Sequence, residues 1–272
     1  MTRPQTLIMG VLNVTPDSFS DGGKWATTDA AIAHALDLAS QGADLIDVGG
    51  ESTRPGAGRV APAVEQSRVI PVISELARQG LSISVDTLNS STAAAAAAAG
   101  AHIINDVSGG LADPLMASVA ARSGLTFVAM HWRAHARTMD DLAVYGDVVA
   151  EVRAELCARV DALTAAGLPG EKIVIDPGLG FSKLPEHNWR LLAHLAAFAD
   201  LGFPVMVGAS RKRFLAGALP ADAGVADRDL PSAVVSVLAA QAGAWAVRVH
   251  DVTATRTALN VLALADSARM GP

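Results

Sequence analysis

Eight short apolar runs, at residues 7–14, 45–48, 83–86, 103–107, 127–131, 173–176, 205–208 and 246–250, punctuate the chain. Each is followed by a loop and an amphipathic or Ala-rich stretch of helical length. Runs this short, rich in Val and Ile and bounded by turn residues, predict buried strands. Strands that alternate with helices form parallel sheets through right-handed crossovers, and eight of them without a long interruption predict closure into a (β/α)8 or TIM barrel. An open doubly wound sheet would instead place a glycine-rich turn after the first strand. The sequence there is Asn13-Val14-Thr15-Pro16-Asp17, which lacks the glycines that bring a backbone against a pyrophosphate. A length of 272 residues suits one barrel, so residues 1–272 are expected to form a single α/β domain.

The composition supports a packed fold: 51% of residues are hydrophobic and 18% charged. Ala93 to Ala99 followed by Gly100 resembles low complexity, yet alanine is the strongest helix former and glycine a natural stop, so it is expected to be one helix. A formal charge of -6 argues against a general nucleic-acid footprint, which needs concentrated Lys and Arg. Cys157 is the only cysteine, so no internal disulfide and no cysteine-based metal cluster is expected. With no apolar run of membrane-spanning length and no signal-like N-terminal segment, the expectation is a soluble, cytoplasmic protein with no membrane partner.

Nearly every apolar run ends in polar groups: Asn13, Asp47, Asp86, Asn105 with Asp106, His131, Asp176, Ser210 to Lys212, and Arg248 with His250. Taken singly, each could cap a helix or bond a loop backbone. As a set they fall at one end of a parallel barrel, where such folds assemble active sites. Arg248 and His250 are two apart on one strand and share a face, so with Asn13 on the adjacent first strand they could hold phosphate oxygens and a hard cation. The alternative for Arg248 is a local carboxylate such as Asp251. Asp86 and Asp176 would face each other across the mouth with Asn105 between them, and an amino group beside a ring N–H would satisfy Asp176 in bidentate fashion. Their negative field would stabilise positive charge developing on a ligand. Ser210-Arg211-Lys212-Arg213, delivered by the seventh strand, is the one dense basic run. Two glycine- and proline-punctuated loops, 15–23 and 49–58, carry Asp17, Ser18, Asp21, Ser52, Thr53 and Arg54, and loops of this kind close over ligands.

Seven segments together carry a resemblance: NVTPDSFSDGG from Asn13, GADLIDVGGESTRPG from Gly42, SVDT from Ser84, NDVSGG from Asn105, DPGLGF from Asp176, GASRKRF from Gly208 and RVHD from Arg248. They are similar to those of the dihydropteroate synthase family over nearly the full chain. The resemblance implies a transferase of folate biosynthesis, a sulfonamide target, that joins 6-hydroxymethyl-7,8-dihydropterin pyrophosphate to p-aminobenzoate with Mg2+ and releases pyrophosphate. It implies that Asp86, Asn105, Asp176 and Lys212 hold the pterin, with Met130 and Arg248 on its two faces, and that Asp86, Asp176 and Lys212 are catalytic. Asn13, Arg54, Arg248 and His250 would bind pyrophosphate, with Asn13 as the metal ligand. The p-aminobenzoate site would comprise Phe19, Thr53, Arg54, Pro55, Phe181, Lys212 and Arg213. Many relatives carry serine where this chain has Arg213, so the carboxylate of p-aminobenzoate is expected to meet Arg213 or a helix N-terminus. A methyltetrahydrofolate-dependent barrel would lack the STRPG and SRKRF elements, and a silent pterin-binding paralogue remains the other alternative. The resemblance also implies a homodimer.

Overall fold

The computed structural model describes residues 5–15, 24–51, 59–135 and 138–269. Within them, eight strands alternate with helices: β1 (Leu7–Asn13), α1 (Lys24–Ser40), β2 (Leu45–Gly49), α2 (Pro62–Arg78), β3 (Ile83–Asp86), α3 (Ser90–Ala98), β4 (Ile103–Asp106), α4 (Met116–Ser123), β5 (Thr126–Met130), α5 (Val148–Ala165), β6 (Ile173–Asp176), α6 (Pro185–Ala193), α7 (Ala196–Ala199), β7 (Met206–Val207), α8 (Asp229–Gln241), β8 (Ala246–Val249) and α9 (Val252–Arg269). Every strand pair is parallel, in the order β6-β5-β4-β3-β2-β1-β8-β7. A parallel bridge between Ile175 and Val205 joins the two outer strands and brings the sheet round into a barrel. The expected (β/α)8 architecture is the one the chain adopts.

Local chemistry sets the element ends. Pro62, with no N–H to lose, opens α2, and the Asp147 carboxylate accepts from Val149 and Ala150 N–H to cap α5. Gly124, at φ 66°, terminates α4 in the left-handed conformation that costs glycine least. The alanine run folds as α3. β7 is shorter than expected, two residues against the predicted 205–208, and Val205 contributes only the closing bridge.

The strand period of two sorts each strand into two environments. Ile8, Leu12, Ile46, Val48, Val85, Ile104, Phe127, Ile173, Ile175, Val207, Val247 and Val249 belong to the main core together with helix residues such as Leu38, Val69, Leu76 and Leu156. Met9, Leu45, Ile103, Val128, Val174, Met206 and Ala246 form a second cluster, the packed floor of the barrel interior. Two residues further along these strands, on the same face, the sequence supplies Asp47, Asn105, Met130, Asp176, Gly208 and Arg248. An apolar interior layer is thus overlaid by a polar one, and that polar layer is the floor of the mouth.

Candidate active site

Register brings the polar layer together. Asp86 is paired with Asn105 across β3 and β4, and Met130 with Asp176 across β5 and β6. Asp47, Asp86, Asn105, Met130 and Asp176 are all buried. Arg248 lies at their centre: its Nε donates to Asp47 Oδ2 at 2.6 Å and its Nη2 to Asp86 Oδ2 at 2.7 Å. Asn105 Nδ2 donates to the same Asp47 oxygen at 3.0 Å. The local partner considered for Arg248 is otherwise engaged, since Asp251 Oδ1 accepts from Ala254 N–H at the start of α9.

Two glycines make the convergence possible. A Cβ on Gly208 would lie 3.7 Å from Asp176 Oδ2, 3.8 Å from Arg248 Cβ and 3.8 Å from Lys212 Nζ, so three charged side chains meet over this one position. A Cβ on Gly49 would lie 3.6 Å from Asp86 Oδ2.

The loop after β6 positions the rest. Asp176 Oδ1 accepts from Gly178 N–H at 2.7 Å, which holds the carboxylate at the strand end. Lys212 Nζ donates to Leu179 O and stands 4.6 Å from the centre of the Phe181 ring, a cation over an aromatic face. Met130 shares a small apolar cluster with Leu88 and Val107, and Phe181 packs on it.

Burial disfavours the charged forms of Asp86 and Asp176, while cations oppose that pressure. It pushes the Asp86 carboxyl up to about 7 against the pull of Arg248, with Asp47 and Glu65 adding to the rise. It also raises Asp176, against the pull of Lys212 and the Gly178 hydrogen bond. Lys212 is brought down to about 8 by burial, with Asp176 resisting. Asp106, the outward neighbour of Asn105, is a scaffold group: its carboxylate accepts from the backbone N–H of Ser108 and Gly110, and burial raises it to about 6.

The basic run after β7 divides. Lys212 enters the mouth. Arg211, at φ 59°, turns its side chain to Asp229 at the start of α8, with Nε to Oδ1 at 2.6 Å. Arg213 is exposed and binds Asp140, at 2.9 and 3.0 Å to the two oxygens. His250 shares a contact of 3.0 Å with Ser210 through Nδ1, and Asn13 sits half-buried at the end of β1 opposite Gly49. Phe19, Thr53, Arg54 and Pro55, with the loop residues Asp17, Ser18, Asp21 and Ser52, lie outside the described residues.

Behind the site lies a network with no motif to announce it. Lys183, buried, donates to Gly178 O and Phe181 O at 3.0 Å each and meets His131 Nδ1 at 2.9 Å. Glu155 accepts from His131 Nε2 at 2.9 Å and pairs with Arg133. Since Glu155 accepts, Nε2 carries the proton and Nδ1 is the acceptor for Lys183. A lysine following a glycine loop reads as a solvated side chain, and only the tertiary path of the loop buries it. Asp47 did carry a signal: a single acid in an otherwise apolar strand that is buried along its whole length.

A family model described as pterin binding enzyme matches residues 9–250. The dihydropteroate synthase of Mycobacterium leprae is 52% identical over 267 residues, covering 96% of this chain and 94% of that protein. The structure of Xanthomonas albilineans dihydropteroate synthase with 4-aminobenzoic acid is similar at a TM-score of 0.90 and 45% identity, over 96% of this chain and 93% of that one. The same enzyme in complex with 7,8-dihydropteroate superposes at a TM-score of 0.87 with 42% identity, over 98% and 95% of the two chains.

Proposed function

The chain belongs to the pterin binding enzymes as a dihydropteroate synthase, a transferase of folate synthesis, and from that premise we propose how its residues share the reaction. The substrates are 6-hydroxymethyl-7,8-dihydropterin pyrophosphate and p-aminobenzoate. One observation carries the reading: Asp86, Asp176, Lys212 and Arg248, from four different strand ends, converge on a buried mouth. Asp176 accepts from the amino and ring N–H groups of the pterin in bidentate fashion, its Oδ1 keeping the Gly178 N–H as well, while Asn105 bonds the opposite edge and Met130 and Arg248 cover its two faces. Lys212 donates to the heterocycle and, over Phe181, forms the wall between the two substrates. Asn13, Arg248 and His250 receive the pyrophosphate, together with Arg54.

The bond between the methylene carbon and the pyrophosphate oxygen breaks first, its electron pair leaving with the pyrophosphate. The resulting cation is delocalised into the dihydropterin, and the buried Asp86 and Asp176 favour that positive charge. The p-aminobenzoate nitrogen then forms the new C–N bond and releases a proton. No side chain serves as a covalent nucleophile. The carboxylate of p-aminobenzoate meets Arg213 beside the wall made by Phe181 and Lys212, and the loop residues Phe19, Thr53, Arg54 and Pro55 are its further contacts in this reading.

Among the described residues no group of three or more His, Cys, Asp or Glu is placed to hold a metal. The half-buried amide oxygen of Asn13 nevertheless suits Mg2+, which takes oxygen ligands, retains several waters and is commonly bound through one or two protein groups plus substrate phosphates. When bound there, Mg2+ would supply charge neutralisation of the leaving pyrophosphate.

Residues 1–272 act as one barrel domain in this reading, with a second copy of the chain as partner: Leu230, Val234 and Leu238 on α8 and Val261 and Leu264 on α9 are exposed apolar side chains that favour a homodimer. Among the described residues no helix is long and apolar enough to cross a membrane, and an exposed free Cys157 suits the cytoplasm. The test of the reaction is pyrophosphate release in the presence of both substrates and Mg2+. Release that needs no p-aminobenzoate would identify a hydrolase, and near-normal turnover in Asp176→Ala would overturn the pterin assignment.

A further inference from the structure

Asp47 is fully buried on β2, and an ionisable group in that setting is costly unless its partners repay the lost hydration. Its bonding is unusual. Oδ2 accepts from Asn105 Nδ2 at 3.0 Å and from Arg248 Nε at 2.6 Å, while Oδ1 meets no donor among the described residues. The other buried strand-end acid outside the reaction, Asp106, spends its oxygens on its own loop, on the N–H groups of Ser108 and Gly110 and the Ser108 hydroxyl. Asp47 does nothing of that kind: both its hydrogen bonds go to side chains of the mouth, brought from β4 and β8.

We propose that Asp47 is a positioning residue for the pterin, which through a single oxygen decides which edge of the Asn105 amide meets the heterocycle and anchors the Arg248 guanidinium beside it. The inference rests on the assignment of Asn105 and Arg248 to the pterin site. A carboxylate only accepts, so the nitrogen of the Asn105 amide must face Asp47 and its oxygen is turned away, toward the mouth, as an acceptor for a ring N–H. Without Asp47 the amide is free to rotate by half a turn and present a donor instead. For Arg248 the same oxygen provides an anchor separate from Asp86. Asp86 can then turn toward a ligand while Nε stays tethered, so the guanidinium keeps its plane over the heterocycle.

Asp47→Leu roughly preserves size and removes the acceptor altogether. Binding of 6-hydroxymethylpterin, measured by calorimetry, is expected to weaken about tenfold to a hundredfold, the effect of one misdirected buried hydrogen bond, while KM for p-aminobenzoate stays within about twofold. A general loss of packing would move both. In an Asn105→Ala background the same replacement is expected to weaken pterin binding at least about threefold less, because one of its two routes is gone. Wild-type affinity in Asp47→Leu, or an identical penalty in both backgrounds, overturns the proposal. A measurement on the unmodified protein guards against a variant that fails to fold. One Asn105 Nδ2 proton, followed by NMR, should be protected from exchange both with and without 6-hydroxymethylpterin, and free exchange of both protons would sink the idea. Turnover of the unmodified enzyme with both substrates tests the reaction itself, so failure there is separate from failure of the Asp47 assignment.

Discussion

Arg248 donates through Nη2 to Asp86 Oδ2 at 2.7 Å, tying the end of β8 to the end of β3, yet the Asp86 carboxyl still titrates near neutrality. Burial is the main cause of its rise to about 7, and the neighbouring Asp47 and Glu65 reinforce it against Arg248. A carboxyl whose folded value lies above its unfolded value binds more protons in the native state. Its stabilising contribution is therefore complete below about pH 4, declines as pH climbs, and is lost above about pH 7. Asp86→Asn removes that decline. Relative to the unmodified protein the variant should be more stable at pH 8 than at pH 5 by about 1–2 kcal/mol, measured by urea unfolding. An equal increment at both pH values would show that Asp86 does not titrate in this window. Activity should move the other way: kcat/KM for the pterin pyrophosphate should fall below about pH 7 in the unmodified enzyme and be low at every pH in Asp86→Asn.

Gly178 and Gly180 both sit at positive φ, +69° and +79°, but a methyl at the two positions meets different obstacles. At Gly180 it would lie 2.7 Å from Lys212 Cδ, in a flexible tail that can shift; at Gly178 it would press closer still on the backbone oxygen of His131, which cannot. Gly180→Ala should consequently fold at a cost of about 1–2 kcal/mol and lose pterin affinity about tenfold as Lys212 is displaced. Gly178→Ala should cost about 3 kcal/mol or more. Thermal melting with pterin calorimetry separates them, and equal stability losses would contradict the distinction.

The contrast shows what the chain displays in its sequence and what it conceals. Asp86, Asn105, Asp176 and Arg248 were legible as a group because a buried strand has a strict period of two and parallel strands in a barrel end on one rim. The partners of Arg248 were not legible. Asp47 and Asp86 lie 201 and 162 residues away, nearer in sequence stands a local carboxylate, and only the register of β1, β2, β3 and β8 brings the distant pair to Arg248. In Ser210-Arg211-Lys212-Arg213 the composition announced a cationic patch, but the left-handed backbone at Arg211 sends three adjacent cations to three destinations. Lys183 was invisible for a related reason. Nothing within a few residues of it predicts burial, which is created by the loop folding back over His131.

That loop anchor has a pH signature of its own. Burial and then Lys183 hold the His131 imidazole down to about 4, against Glu155, so it remains neutral where a free histidine would already be protonated. A depressed histidine stabilises the fold above its unfolded value, near 6.5, and that contribution is lost as pH falls toward about 4. In His131→Gln the amide can still donate to Glu155 but does not titrate. The loss of stability between pH 7.5 and 4.5 should shrink by about 1–2 kcal/mol relative to the unmodified protein, as read from urea unfolding at the two pH values. An unchanged loss would assign the acid sensitivity to other groups.

Arg213 reaches both oxygens of Asp140 through the single nitrogen Nη2, an ion pair in which both side chains are more than half exposed, at 62% and 56%. Such a pair contributes little to stability, roughly 0–1 kcal/mol, so its two members can be varied without endangering the fold. If Arg213 is the cation that receives the p-aminobenzoate carboxylate, Asp140 competes with the substrate for it. Asp140→Asn should then lower KM for p-aminobenzoate about twofold to fivefold, and Arg213→Ser should raise it about threefold to tenfold, both with little change in KM for the pterin pyrophosphate. The two effects should not add: once Arg213 is serine, replacing Asp140 has nothing left to release. A double variant in which Asp140→Asn still lowers KM would show that Asp140 acts on the substrate directly and not through Arg213.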